Sequence, residues 1–87
     1  MRVGFVNGCF DLLHVGHIEM LEYAKSMCDY LVVAVDTDER VRQSKGLTRP
    51  FNNVDDRQRM LIALKAVDET THFASDEELV ATVKKYS

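Results

Sequence analysis

The sequence is poor in the residues and patterns that mark several common classes of protein. It has two cysteines, Cys9 and Cys28, in 87 residues, too few for the disulfide framework of a small secreted domain. No apolar run approaches the length of a membrane span, and the run at the start is too short for a signal peptide. Basic residues are not in excess, because 11 lysines and arginines face 14 aspartates and glutamates. We therefore expect a cytoplasmic protein with free thiols that neither enters a membrane nor binds nucleic acid broadly.

What the sequence does contain is an alternation of strand-like and helix-like segments. Hydrophobic residues make up 46% of the chain and charged residues 29%, an ordinary globular composition for a chain of one domain at most. Apolar runs at 3–6, 30–35 and 70–74 alternate with segments of helical spacing, which predicts an α/β fold of order β-α-β-α-β-α. The run "YLVVAVD" is apolar at successive residues, as in a strand covered on both faces. It is therefore expected to be the central strand of a parallel sheet.

Three segments have the spacing of amphipathic helices, with apolar residues recurring every three or four positions. The residues expected to face the core are Met20, Leu21, Ala24, Met27 and Cys28 in the first, Met60, Leu61 and Leu64 in the second, and Leu79, Val80 and Val83 in the third. The expected N-cap residues are Thr37 or Asp38 for a short turn, Asn52 or Asn53 for the second helix, and Ser75 for the third, where Glu78 completes a capping-box pattern.

The segment from Gly8 to His17, "GCFDLLHVGH", places two of the three histidines three residues apart, directly after the first strand. We expect Gly8 to permit a tight turn and the helix to begin near Val15 or Gly16. His14 and His17 then share the first turn, where free backbone N–H groups and the positive end of the helix dipole gather. Gly16 is expected to let a phosphate approach the backbone between the imidazoles. The pattern predicts an anion site whose imidazoles donate hydrogen bonds to phosphoryl oxygens as negative charge shifts.

Two neighbouring residues leave alternatives open. Asp11 could orient a histidine, hold a magnesium ion or bind the hydroxyl groups of an acceptor. Cys9 could join the histidines in a zinc site, but no fourth ligand is evident, so we predict that the protein holds no metal of its own. His72 lies on a predicted strand and is assigned no function.

The segment "GCFDLLHVGH" closely resembles the signature of the HxGH nucleotidyltransferases, the cytidylyltransferase-like superfamily. The segments "DYLVVAVDTDE" and "KGLTRPFNNVDDR" resemble those that follow in that family, so the resemblance runs through all 87 positions. It implies a Rossmann-like parallel sheet of strand order 3-2-1 with helices on both faces. It also implies that His14 and His17 bind a nucleoside triphosphate and stabilise the transition state, while Lys45 reaches the phosphates from its loop. The other nucleotide-binding candidates are Gly8, Cys9, Phe10, Asp11, Gly16, Arg49 and Arg57.

The same resemblance implies a reaction. A phosphate oxygen of a sugar- or polyol-phosphate attacks the α-phosphorus of ATP or CTP, which carries Mg²⁺, and pyrophosphate leaves. Because a phosphomonoester is already ionised at neutral pH, catalysis reduces to positioning and charge stabilisation. The combination of "NGCFD" with "KG" and "RP" resembles the heptose-phosphate adenylyltransferases more than the glycerol-phosphate branch. The acceptor and the choice between adenine and cytosine stay open.

The family pattern continues with further strands and a second, Ser/Thr-rich signature after the point that corresponds to Ser87. We therefore expect residues 1–87 to be the N-terminal part of a single nucleotidyltransferase-like domain that lacks the later strands. Its first strand is then an open sheet edge, which invites pairing with another chain. Besides an enzyme, the sequence thus allows a catalytically incomplete nucleotide-binding fragment or a homodimer that associates through this edge.

Overall fold

The structure, a computed structural model, describes residues 1–86 as three parallel strands connected by helices. The elements are β1 (Val3–Gly8), α1 (Val15–Ser26), β2 (Tyr30–Asp36), α2 (Asp38–Lys45), α3 (Val54–Ile62), β3 (Glu69–Phe73) and α4 (Asp76–Tyr86). The α/β alternation predicted from the sequence is confirmed, and the strand bounds lie within two residues of the predicted ones. The second connection differs from the prediction, because it holds two helices, α2 and α3.

The sheet has the order β1-β2-β3, so β2 is the central strand and β1 lies at an edge. Successive side chains of a strand point to opposite faces of a sheet. In β2, Leu31, Val33 and Val35 therefore face one side and Val32 and Ala34 the other. All five are fully buried, so both faces of the central strand are covered.

The helices divide between the two faces. Leu21 of α1 and Leu61 of α3 belong to one hydrophobic cluster with Val33, and Val6 packs against the same cluster. Phe5 precedes Val6 and so points to the opposite face, where its ring centroid lies 6.4 Å from that of Tyr86 in α4. Thus α1 and α3 cover one face while α4 covers the other.

Helix caps follow the predictions closely. Thr37 caps α2 and Asn53 caps α3, each accepting a hydrogen bond from the backbone N–H three residues later. At the start of α4, the Ser75 hydroxyl accepts from the backbone N–H of Glu78 at 3.2 Å. The Glu78 carboxylate reaches back to the backbone N–H of Ala74 at 3.4 Å, one residue earlier than a capping box requires.

Several apolar side chains predicted to face the core are exposed instead. They are Met20, Met27, Met60, Val80 and Val83. Leu21 and Ala24 of α1 reach the core, as does Cys28, which lies beyond the end of the helix at Ser26. The methionines lie beside these residues, since an apolar residue at three- or four-residue spacing can still fall outside the narrow arc that contacts a sheet.

No helix within residues 1–86 combines the length and the apolar composition needed to cross a lipid bilayer.

Candidate functional site

A cavity of about 390 Å³ opens where the chain leaves the carboxyl end of β1. Its lining residues are Cys9, Phe10, Asp11, Leu12, His14, His17, Lys45 and Arg49. We call it the histidine cavity. The structure thus brings together His14, His17 and Lys45, the three residues expected to be catalytic. Their place agrees with the general rule that ligands of open α/β sheets bind outside the carboxyl ends of the strands.

Phe10 makes the turn that was attributed to Gly8. Its backbone φ is +53°, in the left-handed region, whereas Gly8 is the last residue of β1. A Cβ atom on Gly8 would lie 2.9 Å from Cε2 of Phe10, so this glycine makes room for the Phe10 ring. That ring is buried in the core and its centroid lies 5.3 Å from that of His17. The turn therefore packs an aromatic ring behind one of the two imidazoles.

The two histidines form the N-terminal cap of α1. His14 is the N-cap residue, and its Nδ1 accepts a hydrogen bond from the backbone N–H of Gly16 at 3.0 Å. Nδ1 of His17 accepts from the backbone N–H of His14 at 3.2 Å, which completes a capping box built from imidazoles. Because each Nδ1 is an acceptor, a neutral ring must carry its proton on Nε2. Neither Nε2 has a partner within residues 1–86, so two N–H donors remain available.

Gly16 has a different role from the one expected. A Cβ atom there would lie 2.8 Å from Cε1 of His14 and 3.0 Å from its Nδ1. The space that was expected to admit a phosphate is filled by the His14 ring, and Gly16 itself does not line the cavity. The glycine is therefore needed for the cap, because any side chain would push the imidazole away.

The electrostatics of the site differ from those of the other helix starts. Burial, and then the proximity of His14, lower the pKa of His17 below its ordinary value of 6.5. At neutral pH, His17 is therefore uncharged and donates through Nε2. The first turn of α1 contains no acidic residue, whereas α2, α3 and α4 all begin with acidic side chains. The positive end of the α1 dipole is thus left uncompensated beside the histidines.

Asp11 anchors a loop, a role outside the three that the sequence left open. It is 3% exposed, and its carboxylate accepts hydrogen bonds from the backbone N–H groups of Phe51 and Asn52, each at 2.9 Å, and from Nε of Arg49 at 2.8 Å. The Asn52 side chain donates in return to the backbone oxygen of Asp11 at 2.7 Å. Although burial alone would raise its pKa, the bonds from Asn52, Phe51 and Arg49 hold the pKa of Asp11 below its usual value. The sequence could not show this anchor, because two of its donors are backbone N–H groups, which almost every residue has.

The residues of the histidine cavity do not fit a magnesium ion held by this chain. Asp11 is the only carboxylate among the lining residues, and its oxygens are engaged with Arg49 and the loop. Within residues 1–86, no three His, Cys, Asp or Glu side chains are placed so that they could hold a metal ion. Cys9 lines the cavity as a free thiol.

Two cations stand at the rim of the cavity. Lys45, the last residue of α2, is exposed, and its ammonium makes no hydrogen bond or ion pair with any residue that the structure describes. Arg49 uses Nε for Asp11, and its guanidinium lies over the Phe51 ring at 4.8 Å from the centroid. With Asp11 as the one acid, the lining residues carry a net charge of +1 when the histidines are neutral. The cavity therefore favours anions.

Arg57 was expected to bind nucleotide, but it does not line the cavity. Its side chain is fully buried and donates to the backbone oxygens of Cys9 at 2.9 Å and Asn52 at 3.0 Å, and to Oδ1 of Asp38 at 2.8 Å. It thus fastens the turn after β1 to the loop before α3 and to the start of α2. One sequence signal pointed this way, because Arg57 lies four residues before the buried Leu61 and so shares the inner side of α3.

Comparisons with known proteins agree on one family. The family model described as cytidylyltransferase-like matches residues 5–87. The bifunctional protein HldE of Granulibacter bethesdensis is 48% identical over 79 residues, which cover 91% of this chain and 16% of that protein. The HldE of Hyphomonas neptunium is 47% identical over 81 residues, covering 93% and 17%. The chain therefore spans about a sixth of the length of these curated relatives.

A solved structure shares the fold. The crystal structure of the lipopolysaccharide core biosynthesis protein from Thermoplasma volcanium GSS1 matches with a TM-score of 0.85 and 30% sequence identity, covering 99% of this chain and 68% of that one. The Rossmann-like architecture is thus found in a relative of known structure. Since the family model also covers nearly all of the sequence, the chain belongs to the cytidylyltransferase-like family.

Proposed function

We propose that this chain carries the nucleotide-binding and catalytic histidines of a nucleotidyltransferase. Its substrates are ATP or CTP and a sugar- or polyol-phosphate. The observation that carries the proposal is the imidazole capping box, which leaves two Nε2–H donors at an uncompensated helix N-terminus inside a cavity of positive charge. Membership of the cytidylyltransferase-like family supports the same activity.

The reaction needs no covalent intermediate on the protein. An oxygen of the acceptor phosphate forms a bond to the α-phosphorus while the bond from that phosphorus to the oxygen bridging to the β-phosphorus breaks. Pyrophosphate leaves with the bridging oxygen and its electron pair. The Nε2–H groups of His14 and His17 donate to phosphoryl oxygens on which negative charge increases, and Lys45 and Arg49 neutralise the leaving phosphates. Magnesium that accompanies the triphosphate would help to neutralise the phosphates, and the chain would not hold it by a carboxylate, since the only one in the cavity, Asp11, is engaged with the loop.

The name of the solved relative favours a sugar phosphate as the acceptor. The solved relative is described as a lipopolysaccharide core biosynthesis protein, and the core of a lipopolysaccharide is built from sugars. An activated sugar is the product expected when a nucleotidyl group is transferred to a sugar phosphate. We therefore rank sugar phosphates above glycerol phosphate in the panel of acceptors.

Pyrophosphate release from ATP and from CTP, measured with mannose 1-phosphate and glycerol 3-phosphate as acceptors, tests this proposal. The informative variant is His17→Asn, because an asparagine oxygen can replace Nδ1 in the cap but offers no donor at the position of Nε2. We expect turnover to fall by about 10²- to 10³-fold, the usual effect of removing one donor to a developing negative charge. His72→Asn is the matched control, since His72 lies on β3 outside the cavity.

Binding is measured separately by following the imidazole NMR signals during titration with ATP or CTP. If the signals of His14 and His17 shift but no pyrophosphate is released, the chain binds the nucleotide and does not catalyse the reaction by itself. If neither nucleotide moves these signals in a folded sample, the proposal is wrong.

A further inference from the structure

A second cavity, of about 410 Å³, lies beside α2 at the carboxyl edge of the sheet. Its lining residues are Asn7, Asp36, Arg40, Gln43, Ser44 and Phe73, none of which lines the histidine cavity. We call it the Gln43 cavity. We propose that it binds the hydroxyl-bearing part of a phosphorylated sugar or polyol whose phosphate lies in the histidine cavity. This inference rests on the proposed function and identifies the place of the acceptor.

The two cavities adjoin at two points of the chain. Asn7 lines one and Cys9 the other, with only Gly8 between them, so their Cα atoms lie within about 7 Å of each other. On α2, Ser44 lines the Gln43 cavity and the next residue, Lys45, lines the histidine cavity. One small molecule can therefore extend from one cavity into the other.

The charges of the Gln43 cavity disfavour a phosphate. Its one cation, Arg40, is already paired with Asp36 at 3.3 Å and with Asp76 at 2.7 Å, and its guanidinium lies 5.1 Å from the ring centroid of Phe73. Counting Asp76, these groups carry a net charge of −1. The histidine cavity carries +1, so the phosphate of a bound acceptor belongs there and its uncharged part belongs beside Gln43.

The polar groups of the Gln43 cavity suit hydroxyls. The side chains of Asn7 and Gln43 form no hydrogen bond with the rest of residues 1–86, and each offers two donors and one acceptor oxygen. The Ser44 hydroxyl donates to the backbone oxygen of Val41 at 3.3 Å and can still accept. A sugar hydroxyl both donates and accepts, so adjacent hydroxyls can pair with the two amides at once. A volume of about 410 Å³ lies within the usual range for small-molecule sites.

NMR titration of the chain tests the inference directly, because the side-chain NH₂ groups of Asn7 and Gln43 give their own signals. The probes are mannose 1-phosphate, glycerol 3-phosphate and inorganic phosphate, each with and without α,β-methylene-ATP, which does not react. We expect at least one of the two phosphorylated polyols to shift both amide signals and the His14 and His17 signals. Inorganic phosphate is expected to shift the histidine signals alone.

Variants then measure the contribution of the amides. Gln43→Ala and Asn7→Ala are expected to weaken binding of the phosphorylated sugar by about fivefold each, the size of one neutral hydrogen bond. Glu39→Ala is the matched control, because Glu39 is an exposed residue of α2 that lines neither cavity. All three positions are exposed, and an unchanged spread of backbone signals verifies that each variant is folded.

The outcomes separate this inference from the proposed function. If both phosphorylated polyols move only the histidine signals, or neither polyol moves any signal, the inference is wrong. It is also wrong if inorganic phosphate moves the amide signals as strongly as the sugar phosphate does. In each of these cases, histidine signals that shift with α,β-methylene-ATP still support the proposed function. If α,β-methylene-ATP leaves the His14 and His17 signals unshifted, the proposed function itself is wrong.

Discussion

At the amino end of the sheet, Lys25 donates to the carboxylate of Asp68 and to the backbone oxygen of Asp29, so its ammonium is engaged within the chain. At the carboxyl end, Lys45 makes no such contact with any described residue and lines a cavity. The Asp68 carboxylate also accepts from the backbone N–H of Leu31 at 2.7 Å, which fastens the start of β2 to the residue before β3. The ammonium of Lys25 thus joins segments of the chain, whereas the ammonium of Lys45 has no partner within residues 1–86 and remains available to a ligand.

Helix α1 shows the same contrast along its own length. Its last turn carries Lys25, which compensates the negative end of the dipole. Its first turn carries no acid and is capped by two imidazoles whose Nε2 atoms have no hydrogen-bond partner in residues 1–86. A helix whose positive end lacks a carboxylate can accept an anionic ligand, because the ligand then supplies the missing negative charge. Three predictions test whether the two ends of the sheet act independently, one in folding and the other in ligand binding.

The largest effect is expected from Arg57→Met. Within residues 1–86, Arg57 is the one cation near the histidine cavity whose side chain is fully buried, so its removal leaves the Asp38 carboxylate and two backbone oxygens without their donor. We expect the free energy of unfolding, measured with urea, to fall by about 3–5 kcal/mol. Arg59→Met, on the exposed side of α3, should change it by less than about 0.5 kcal/mol. Equal effects of the two substitutions would show that Arg57 does not hold the carboxyl end together.

Lys45→Ala is expected to affect nucleotide binding and Lys25→Ala the stability of the fold. Lys45→Ala should weaken ATP or CTP binding by about tenfold and leave the urea midpoint unchanged, because the ammonium that it removes has no partner within residues 1–86. Lys25→Ala should lower the free energy of unfolding by up to about 1 kcal/mol and leave nucleotide binding unchanged, because its partners lie within the chain. Loss of nucleotide binding in Lys25→Ala would contradict the separation of the two ends.

The smallest effect concerns pH. The folded chain lowers the pKa of His17 below 6.5, so the unfolded chain binds this proton more readily. The free energy of unfolding is therefore expected to fall as pH drops below about 6.5, and His17→Asn should remove that slope while His72→Asn keeps it.

At the amino end of the sheet, hydrogen bonds from Lys25 and the Leu31 backbone lower the pKa of Asp68 below 3.8. Its contribution is present above that pH and is lost on further acidification, and the same holds for Asp11 at the carboxyl end, whose pKa is also lowered. The slope that distinguishes the carboxyl end is therefore the one from His17, measured by urea titrations at pH 7 and 5.5.

The predictability of the site differs between its parts. The position of His14 and His17 at the start of α1 followed from their spacing and from the end of the preceding strand, since both are local features. The sequence did not predict that Phe10, and not Gly8, makes the turn. Gly8 is required because the Phe10 ring lies against it, and not because of its own backbone angle. The role of Arg57 was missed for a related reason, as its three acceptors come from three separate segments.

Local pattern was sufficient for the α/β order, the central strand and the helix caps, because strand burial, helical spacing and capping bonds act between residues close in the chain. Tertiary contacts determined which cations stay free. Lys25, Lys45, Arg49 and Arg57 are all basic residues, and apart from the helical spacing of Arg57 and Leu61 the sequence does not separate them. They differ in whether the folded chain brings a carboxylate or backbone oxygen within hydrogen-bond distance, which depends on residues 38 to 48 positions away for Lys25, Arg49 and the Cys9 contact of Arg57. Contacts over such separations arise only when the strands and helices pack, and so only the folded molecule showed which of these four side chains remains without a partner in residues 1–86.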